Sequence, residues 1–108
     1  MITPRSFPSV PDLSHVQFFV LESLMVCPLS TKQLRSELHG VGWARSKPTF
    51  HELTKRLEER GLIHGFFERK FVGYFVIRER HYEITTAGVR AYHEAQAFYS
   101  NGAEQRVR

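Results

Sequence analysis

The chain has 108 residues, 42% of them apolar, and its 15 Lys and Arg against 11 Asp and Glu give a formal net charge of +4. A chain of this length builds one core, which excludes a second, ligand-binding domain. With Cys27 as the single cysteine, an internal disulfide is also excluded, and we expect a buried, unreactive thiol there. No apolar stretch resembles a signal peptide or a membrane span, so we expect a cytoplasmic protein without a membrane partner.

The positive charge is concentrated in the middle of the sequence. Residues 31–80 carry eleven Lys and Arg against six Glu, a net charge of +5, whereas residues 1–30 carry a net charge of −1 and residues 81–108 are neutral. A basic surface is therefore expected on one part of the fold, where it could face nucleic acid, an anionic membrane or an acidic protein.

The first helix is predicted to follow a proline-rich start. Prolines at positions 4, 8 and 11 disfavour helix and strand, so residues 1–11 are expected to form a flexible arm. Asp12 or Ser14 can cap the helix that follows, and Pro28 ends it. The buried stripe of this helix is predicted to consist of Val16, Phe19, Val20 and Leu24.

The second helix is predicted from a capping box. The hydroxyl of Ser30 can accept a hydrogen bond from the backbone amide of Gln33, while the Gln33 side chain accepts one from the amide of Ser30. Gly40 is expected to end this short helix. The following stretch, residues 39–47, is predicted to form a turn or a short strand anchored by Trp43.

The third helix is predicted to begin at Ser46 or Lys47. Pro48 then lies in the first turn, where its missing amide hydrogen would have no partner in any case. Gly61 is expected to end the helix in a left-handed conformation. The residues predicted to face the core are Phe50, Leu53 and Leu57.

Two antiparallel strands, residues 62–71 and 75–85, are predicted around a reversal at Gly73. This hairpin has more apolar side chains than it can hide against three small helices. We expect some of them to contact a second copy of the chain or, as the second possibility, to line a hydrophobic ligand pocket. The apolar residues concerned are Phe66, Phe67, Phe71, Tyr74, Phe75, Val76 and Ile77.

A fourth helix is predicted from Thr85 or Thr86 to Tyr99. The Asn-Gly pair that follows is expected to end it, leaving residues 100–108 as a charged tail. The apolar residues of this helix point to more than one side, which suits packing on its own domain and on a second copy. A helix that only closes the core of one chain is the alternative.

The order of elements, with residues 12–99 as one domain, predicts an α+β winged helix-turn-helix: a three-helix core, a two-stranded β wing and a C-terminal helix. The stretch PTFHELTKRLEERGLI at 48–63 resembles the recognition helix and following strand of bacterial transcription regulators of the MarR and PadR kind. YEITTAGVR at 82–90 is similar to the pattern at which their second wing strand enters the next helix. The wing lacks the Asp-Arg pair typical of MarR proteins, and a single helix after the wing favours PadR.

The resemblance implies a transcription regulator, by family a repressor, that binds double-stranded DNA as a homodimer with its third helix in the major groove. Cations would contact phosphates, and outward residues in the first two turns of the third helix would lie nearest the base edges. The residues expected to contact DNA are Lys32, Arg35, Ser46, Lys47, Thr49, His51, Lys55, Arg56, Arg69, Lys70, Arg78 and Arg80. The residues expected at the dimer interface are Phe71, Tyr74, Phe75, Tyr92, Ala95, Phe98 and Tyr99.

Other functions fit the same residues. A winged helix can serve as a protein-interaction module that docks through its aromatic wing, and the same cations could bind RNA. A small hydrophobic effector could bind within the domain or between two copies. The six histidines follow no metal-ligand spacing, and no phosphate-binding glycine loop or nucleophile elbow is present. We therefore expect no metal, no cofactor and no enzymatic activity.

Overall fold

Helices and strands follow one another in the predicted order, with one short strand added. The computed structural model describes the backbone of residues 13–107 and the side chains of residues 13–100. The elements are α1 (His15–Val26), β1 (Leu29–Ser30), α2 (Thr31–Gly40), α3 (Lys47–Glu59), β2 (Ile63–Val72), β3 (Phe75–Ile84) and α4 (Thr86–Val107). The predicted α+β winged helix-turn-helix is thereby confirmed, while the expected arm at residues 1–11 lies outside the described residues.

Side-chain caps fix where the first three helices begin. Ser14 and Gln17 form a capping box at α1, with 3.2 Å between the Gln17 amide nitrogen and the Ser14 hydroxyl oxygen. The predicted box of Ser30 and Gln33 is present at α2, where the corresponding distance is 3.1 Å. Ser46 caps α3 in the same way, although without the reciprocal bond. These caps satisfy amides that would otherwise lack partners, so each helix begins at a defined residue.

The core lies between α1, α2, α3, the base of the hairpin and α4. Leucines at 0% exposure form its centre, and Leu57 among them belongs to the stripe predicted for α3. The fully buried leucines are Leu21, Leu34, Leu38 and Leu57. Because α3 buries one stripe this completely, its opposite face is forced outward.

The sheet has three strands in the order β1-β3-β2, all antiparallel. β1 was not predicted, since two residues are too few to show an alternating pattern; it pairs Leu29 with Tyr82 and Ser30 with His81. β2 and β3 pair along their full length and project as the wing, which reverses at Gly73 with a φ of 60°. This left-handed conformation favours glycine, as the predicted turn requires.

Tyr82 joins the base of the wing to α3. Its ring is 3% exposed and packs edge-on against Phe50, with 6.5 Å between ring centroids. Its hydroxyl donates a hydrogen bond to the Thr54 hydroxyl oxygen over 3.4 Å. Thr54 in turn donates to the backbone carbonyls of Phe50 and His51. The wing is therefore fixed relative to α3 by a buried contact.

Two predictions were wrong: the burial of Cys27 and the residue at which α4 ends. Cys27 is exposed, because it is the C-cap of α1 with extended backbone, beyond the last turn that packs on the core. α4 does not end at Tyr99 but continues through Asn101 and Gly102 to Val107. Such residues cost a helix only up to about 1 kcal/mol each, so they do not force it to end.

α4 closes the core of its own chain. Tyr92 is 8% exposed and stacks on Phe18 of α1, with 5.1 Å between ring centroids, and Ala95 is fully buried. Burial, with the negative charge of Glu22 nearby, raises the pKa of the Tyr92 hydroxyl, which donates to Glu22 over 3.3 Å. Tyr92 and Ala95 are therefore not free to contact a second copy, and the prediction that they lie at a dimer interface is wrong.

Candidate nucleic-acid interface

The outward face of α3 is exposed and mostly polar. Its inward stripe is buried, so the intervening positions face solvent. All the α3 residues predicted to contact DNA lie on exposed positions, namely Ser46, Lys47, Thr49, His51, Lys55 and Arg56. Exposure alone makes them available and leaves their contact with DNA a prediction.

The cationic side chains of this face differ in whether they form an ion pair. Lys47 and Lys55 make no ion pair with any residue that the structure describes. Arg56 pairs with Glu52 one turn earlier, over 3.1 Å, and both side chains are more than half exposed. A pair this exposed contributes about 0–1 kcal/mol, so a phosphate can replace the carboxylate at little cost.

Ser46 and Thr49 already have hydrogen-bond partners. The Ser46 hydroxyl oxygen accepts from the Thr49 amide over 3.4 Å, and the two hydroxyl oxygens are 3.1 Å apart. These two residues hold the first turn of α3, which also sets the direction in which Lys47 projects. Their primary role in the structure is therefore to position the start of α3.

A cleft of about 340 Å³ separates α2, α3 and β3. Arg35 lies at one wall, with its guanidinium 5.9 Å from the centroid of the Phe50 ring, and donates to the backbone carbonyl of Arg45 over 3.3 Å. The cleft is lined by Thr31, Arg35, Lys47, Phe50, His51, Arg80 and Tyr82. Of the three permanent cations among these residues, Arg80 pairs with Glu58, and Arg35 and Lys47 remain to attract an anion such as a phosphate.

One face of the wing carries arginines toward α3. Residues that pair across the two strands share a face, and Arg69 pairs with Arg78 while Phe67 pairs with Arg80. The Arg78 guanidinium lies 4.4 Å from the centroid of the Phe67 ring, and the Arg80 guanidinium lies 5.1 Å from it. This ring holds two arginines side by side, so positive charge continues from the cleft along the wing.

Arg80 also has a structural role. Its guanidinium donates to the Glu58 carboxylate of α3 over 2.8 Å, and both side chains are about one-third exposed. A Cβ atom at position 65 would lie 2.5 Å from the guanidinium of Arg80, so Gly65 provides the room for this pair. Arg80 therefore ties the wing to α3, and its contact with DNA stays a prediction.

The opposite face of the wing is acidic and carries one of the predicted DNA contacts. Lys70 lies there and approaches Glu79 at 3.8 Å, while the His81 ring lies 3.2 Å from the Glu68 carboxylate. Lys70 is thus separated from the arginines by the thickness of the hairpin. Its proposed contact with DNA is the weakest of the set.

Arg45 was missed by the sequence reasoning. It is exposed, lies directly before the cap of α3, and has its guanidinium 5.9 Å from the centroid of the Trp43 ring. Its backbone carbonyl binds Arg35 of the cleft, which places it beside the basic surface. The alternation of cations at 45 and 47 around Ser46 was the available signal.

The tip of the wing is exposed, as the apolar hairpin suggested. Three of the residues predicted to contact a second copy lie there and remain accessible: Phe71 at 76%, Tyr74 at 104% and Phe75 at 74%. The other predicted interface residues lie on α4, where Phe98 and Tyr99 are half-buried. What covers either set stays a prediction.

Several solved structures share the fold. A PadR-like transcription factor of Bacteroides fragilis superposes with a TM-score of 0.68 at 17% identity, over 83% of this chain and 84% of that one. A PadR family transcription regulator of Clostridium difficile gives 0.70 at 13% identity, over 88% of this chain and 100% of that one. Bacillus subtilis PadR, solved in complex with operator DNA, gives 0.59 at 20% identity, over 75% of this chain and 46% of that one. No protein-family model and no curated protein matches the sequence.

At these levels of identity the superpositions establish a shared fold. They extend over three-quarters or more of this chain. The chain therefore has the winged-helix fold of the PadR-type transcriptional regulators, as residues 48–63 and 82–90 predict.

Proposed function

We propose that the chain is a transcription regulator that binds double-stranded DNA as a homodimer. By its resemblance to the PadR family, we propose that it is a repressor and that it has no enzymatic activity. One observation carries the proposal: the free cations lie on one connected surface. Lys47 and Lys55 lie on α3, Arg35 lines the adjoining cleft, and Arg69 and Arg78 continue along the side of the wing that faces α3.

The shape of this surface favours a duplex. A helix of about 10–12 Å diameter fits a major groove about 12 Å wide, and the outer face of α3 is exposed. Its N-terminal turns carry Lys47, Thr49 and His51, which have donors and acceptors of different lengths for base edges. Lys32, at the start of α2, is exposed and can contact a phosphate beside the groove.

The spacing of major grooves along DNA supports a dimer. Two copies whose α3 helices are about 34 Å apart would enter successive major grooves on one side of the duplex. Half-buried Phe98 and Tyr99 of α4 remain the candidate contacts on the side away from the basic surface. Light scattering, which distinguishes one copy from two, measures this part of the proposal.

The proposal includes a location and a ligand. The regulators that this chain resembles are bacterial and act on DNA in the cytoplasm, so we place the protein there. Among the described helices, none is long and apolar enough to cross a bilayer. A small hydrophobic effector would fit a cavity of about 320 Å³ between α1 and the segment before α3. This cavity is lined by His15, Val16, Phe19, Val41, Gly42 and Trp43.

Fluorescence anisotropy of a labelled duplex, titrated over a salt series, tests the function. With Lys32 added to the five free cations of this surface, we expect the logarithm of the affinity to fall with the logarithm of salt with a slope of roughly −5 per copy. Single-stranded RNA of the same length should bind more weakly, because it offers no major groove to α3. Absence of duplex binding at low salt would contradict the proposal and favour a protein-interaction module.

A further inference from the structure

The tip of the wing is apolar on both of its faces. Across the last two pairs of the hairpin, Phe71 pairs with Val76 on one face and Val72 pairs with Phe75 on the other. Tyr74, in the turn between the strands, is 104% exposed. A flat partner surface would cover one face and leave the other in water. The tip therefore suits a partner that surrounds it.

Charge behind the tip indicates the kind of partner. Arg69 and Arg78 pair with each other on the face of the wing that is directed toward α3, two residues back from Phe71 and Val76. Neither makes an ion pair within the part of the chain that the structure describes. The minor groove of a duplex has the complementary arrangement, with sugar and base surfaces enclosed between two rows of phosphates.

The reach of the wing fits the spacing of DNA grooves. Arg80, bonded to Glu58, marks the point where the wing leaves α3, and Phe75 lies five residues further toward the tip. Five strand residues span about 17 Å. The centres of neighbouring major and minor grooves are about half a helical turn apart, which is also about 17 Å. With α3 in a major groove, a wing of this length can reach the next minor groove.

Insertion requires the groove to open. A two-stranded ribbon with its side chains is about 10 Å thick, whereas the minor groove of undistorted B-DNA is about 6 Å wide. Apolar side chains that enter a minor groove do so by separating neighbouring base pairs, which kinks the duplex. Pyrimidine–purine steps such as TA open readily, and A-tracts resist.

We propose that Tyr74 and its phenylalanine neighbours wedge into the minor groove beside the α3 site, unstack a base step and bend the DNA. The inference rests on the proposed function and extends it. If the tip acts as a wedge, the preferred DNA is a duplex with a deformable TA or CA step about half a turn from the α3 site. The protein would select this step by the low cost of deforming it, without a hydrogen bond to a base. The apolar tip is thereby assigned to DNA and not to a second copy.

Energy transfer between dyes at the two ends of a duplex tests the wedge. The probes are two duplexes of about 30 base pairs and equal composition, one with alternating TA steps and one with A-tracts. We expect wild-type protein to raise the transfer on the TA duplex and to bind it about tenfold more tightly than the A-tract duplex. The double variant Tyr74→Ser with Phe75→Ser should lose both effects while keeping its salt slope.

Matched variants distinguish a wedge from a dimer contact or a membrane contact at the tip. Phe71→Ser removes apolar surface from the other strand and the other face of the tip, and Val26→Ser removes an apolar side chain that is 84% exposed at the end of α1, outside the wing. Phe71→Ser should behave like the double variant, and Val26→Ser like the wild type. If the DNA bending and the preference for the TA duplex persisted in both tip variants, the wedge alone would be overturned. The wedge would also be overturned if a tip variant halved the mass in light scattering, or if it lost binding to anionic vesicles but not to DNA. Wild-type protein that binds neither duplex would overturn the proposed function as well.

Discussion

Replacing Lys47 and Lys55 together by glutamine is expected to weaken duplex binding roughly 60-fold at 0.1 M salt. Each phosphate contact contributes about 0.9 to the slope of log affinity against log salt, so the slope should fall by about 1.8. Both lysines are exposed and make no ion pair in the described chain, so their charge is available to a phosphate. Anisotropy titrations at several salt concentrations measure both quantities.

A charge-matched control distinguishes contact from long-range attraction. Arg90 is exposed on α4, a helix that contributes no residue to the basic surface, and Arg90→Gln removes one positive charge just as Lys55→Gln does. The slope should change clearly with Lys55→Gln and little with Arg90→Gln. Equal slopes for these two single variants would show that net charge, rather than the surface of α3, governs binding.

Gly88→Ala is expected to destabilise the fold by about 3 kcal/mol, at the upper end of what overpacking usually costs. Gly88 is buried in the first turn of α4, where a Cβ atom would overlap the backbone carbonyl oxygen of Leu62 and lie 2.7 Å from the side chain of Ile84. Backbone cannot move aside as a flexible side chain can, so α4 must shift off the sheet. A thermal melt followed by circular dichroism should show a midpoint lower by roughly 15 °C.

Gly40→Ala makes the same chemical change without the overlap. Gly40 ends α2, where an added Cβ atom would have no heavy atom within 4 Å, and its φ is not positive. This variant should be neutral, or up to about 1 kcal/mol more stable because alanine loses less backbone entropy on folding. If Gly88→Ala had the same thermal midpoint as Gly40→Ala, the close approach of α4 to Leu62 would be disproved.

The local features of the fold could be predicted because their causes lie within a few residues. The capping box of Ser30 and Gln33 spans three residues, and the turn at Gly73 needs only one residue with positive φ. The apolar stripe of α3 was equally visible, so its exposed face followed from the spacing of Phe50 and Leu57. The composition of the wing likewise indicated surplus apolar surface.

Features that depend on distant residues could not be predicted. Arg80 was expected to contact DNA, and its pairing with Glu58, 22 residues earlier, could not be foreseen from the sequence. Tyr92 and Ala95 were assigned to a dimer, but both are buried within their own chain, where Tyr92 stacks on α1. A periodic pattern shows that a helix has an apolar face and does not show which neighbour meets it. The acidic face on which Lys70 lies also depends on register, which a one-residue slip would reverse.

Amide chemical-shift mapping during titration with a duplex tests the central claim most directly. Because binding is assigned to one connected surface, shifts should concentrate at the start of α2, on the outward face of α3 and along the wing from Phe67 to its tip. Residues of α1 and the exposed positions of α4 around Arg90 should change little. Shifts that instead cluster on α1 and α4, or that leave α3 unaffected while the duplex binds, would contradict the claim that α3 and the wing form the DNA-binding surface.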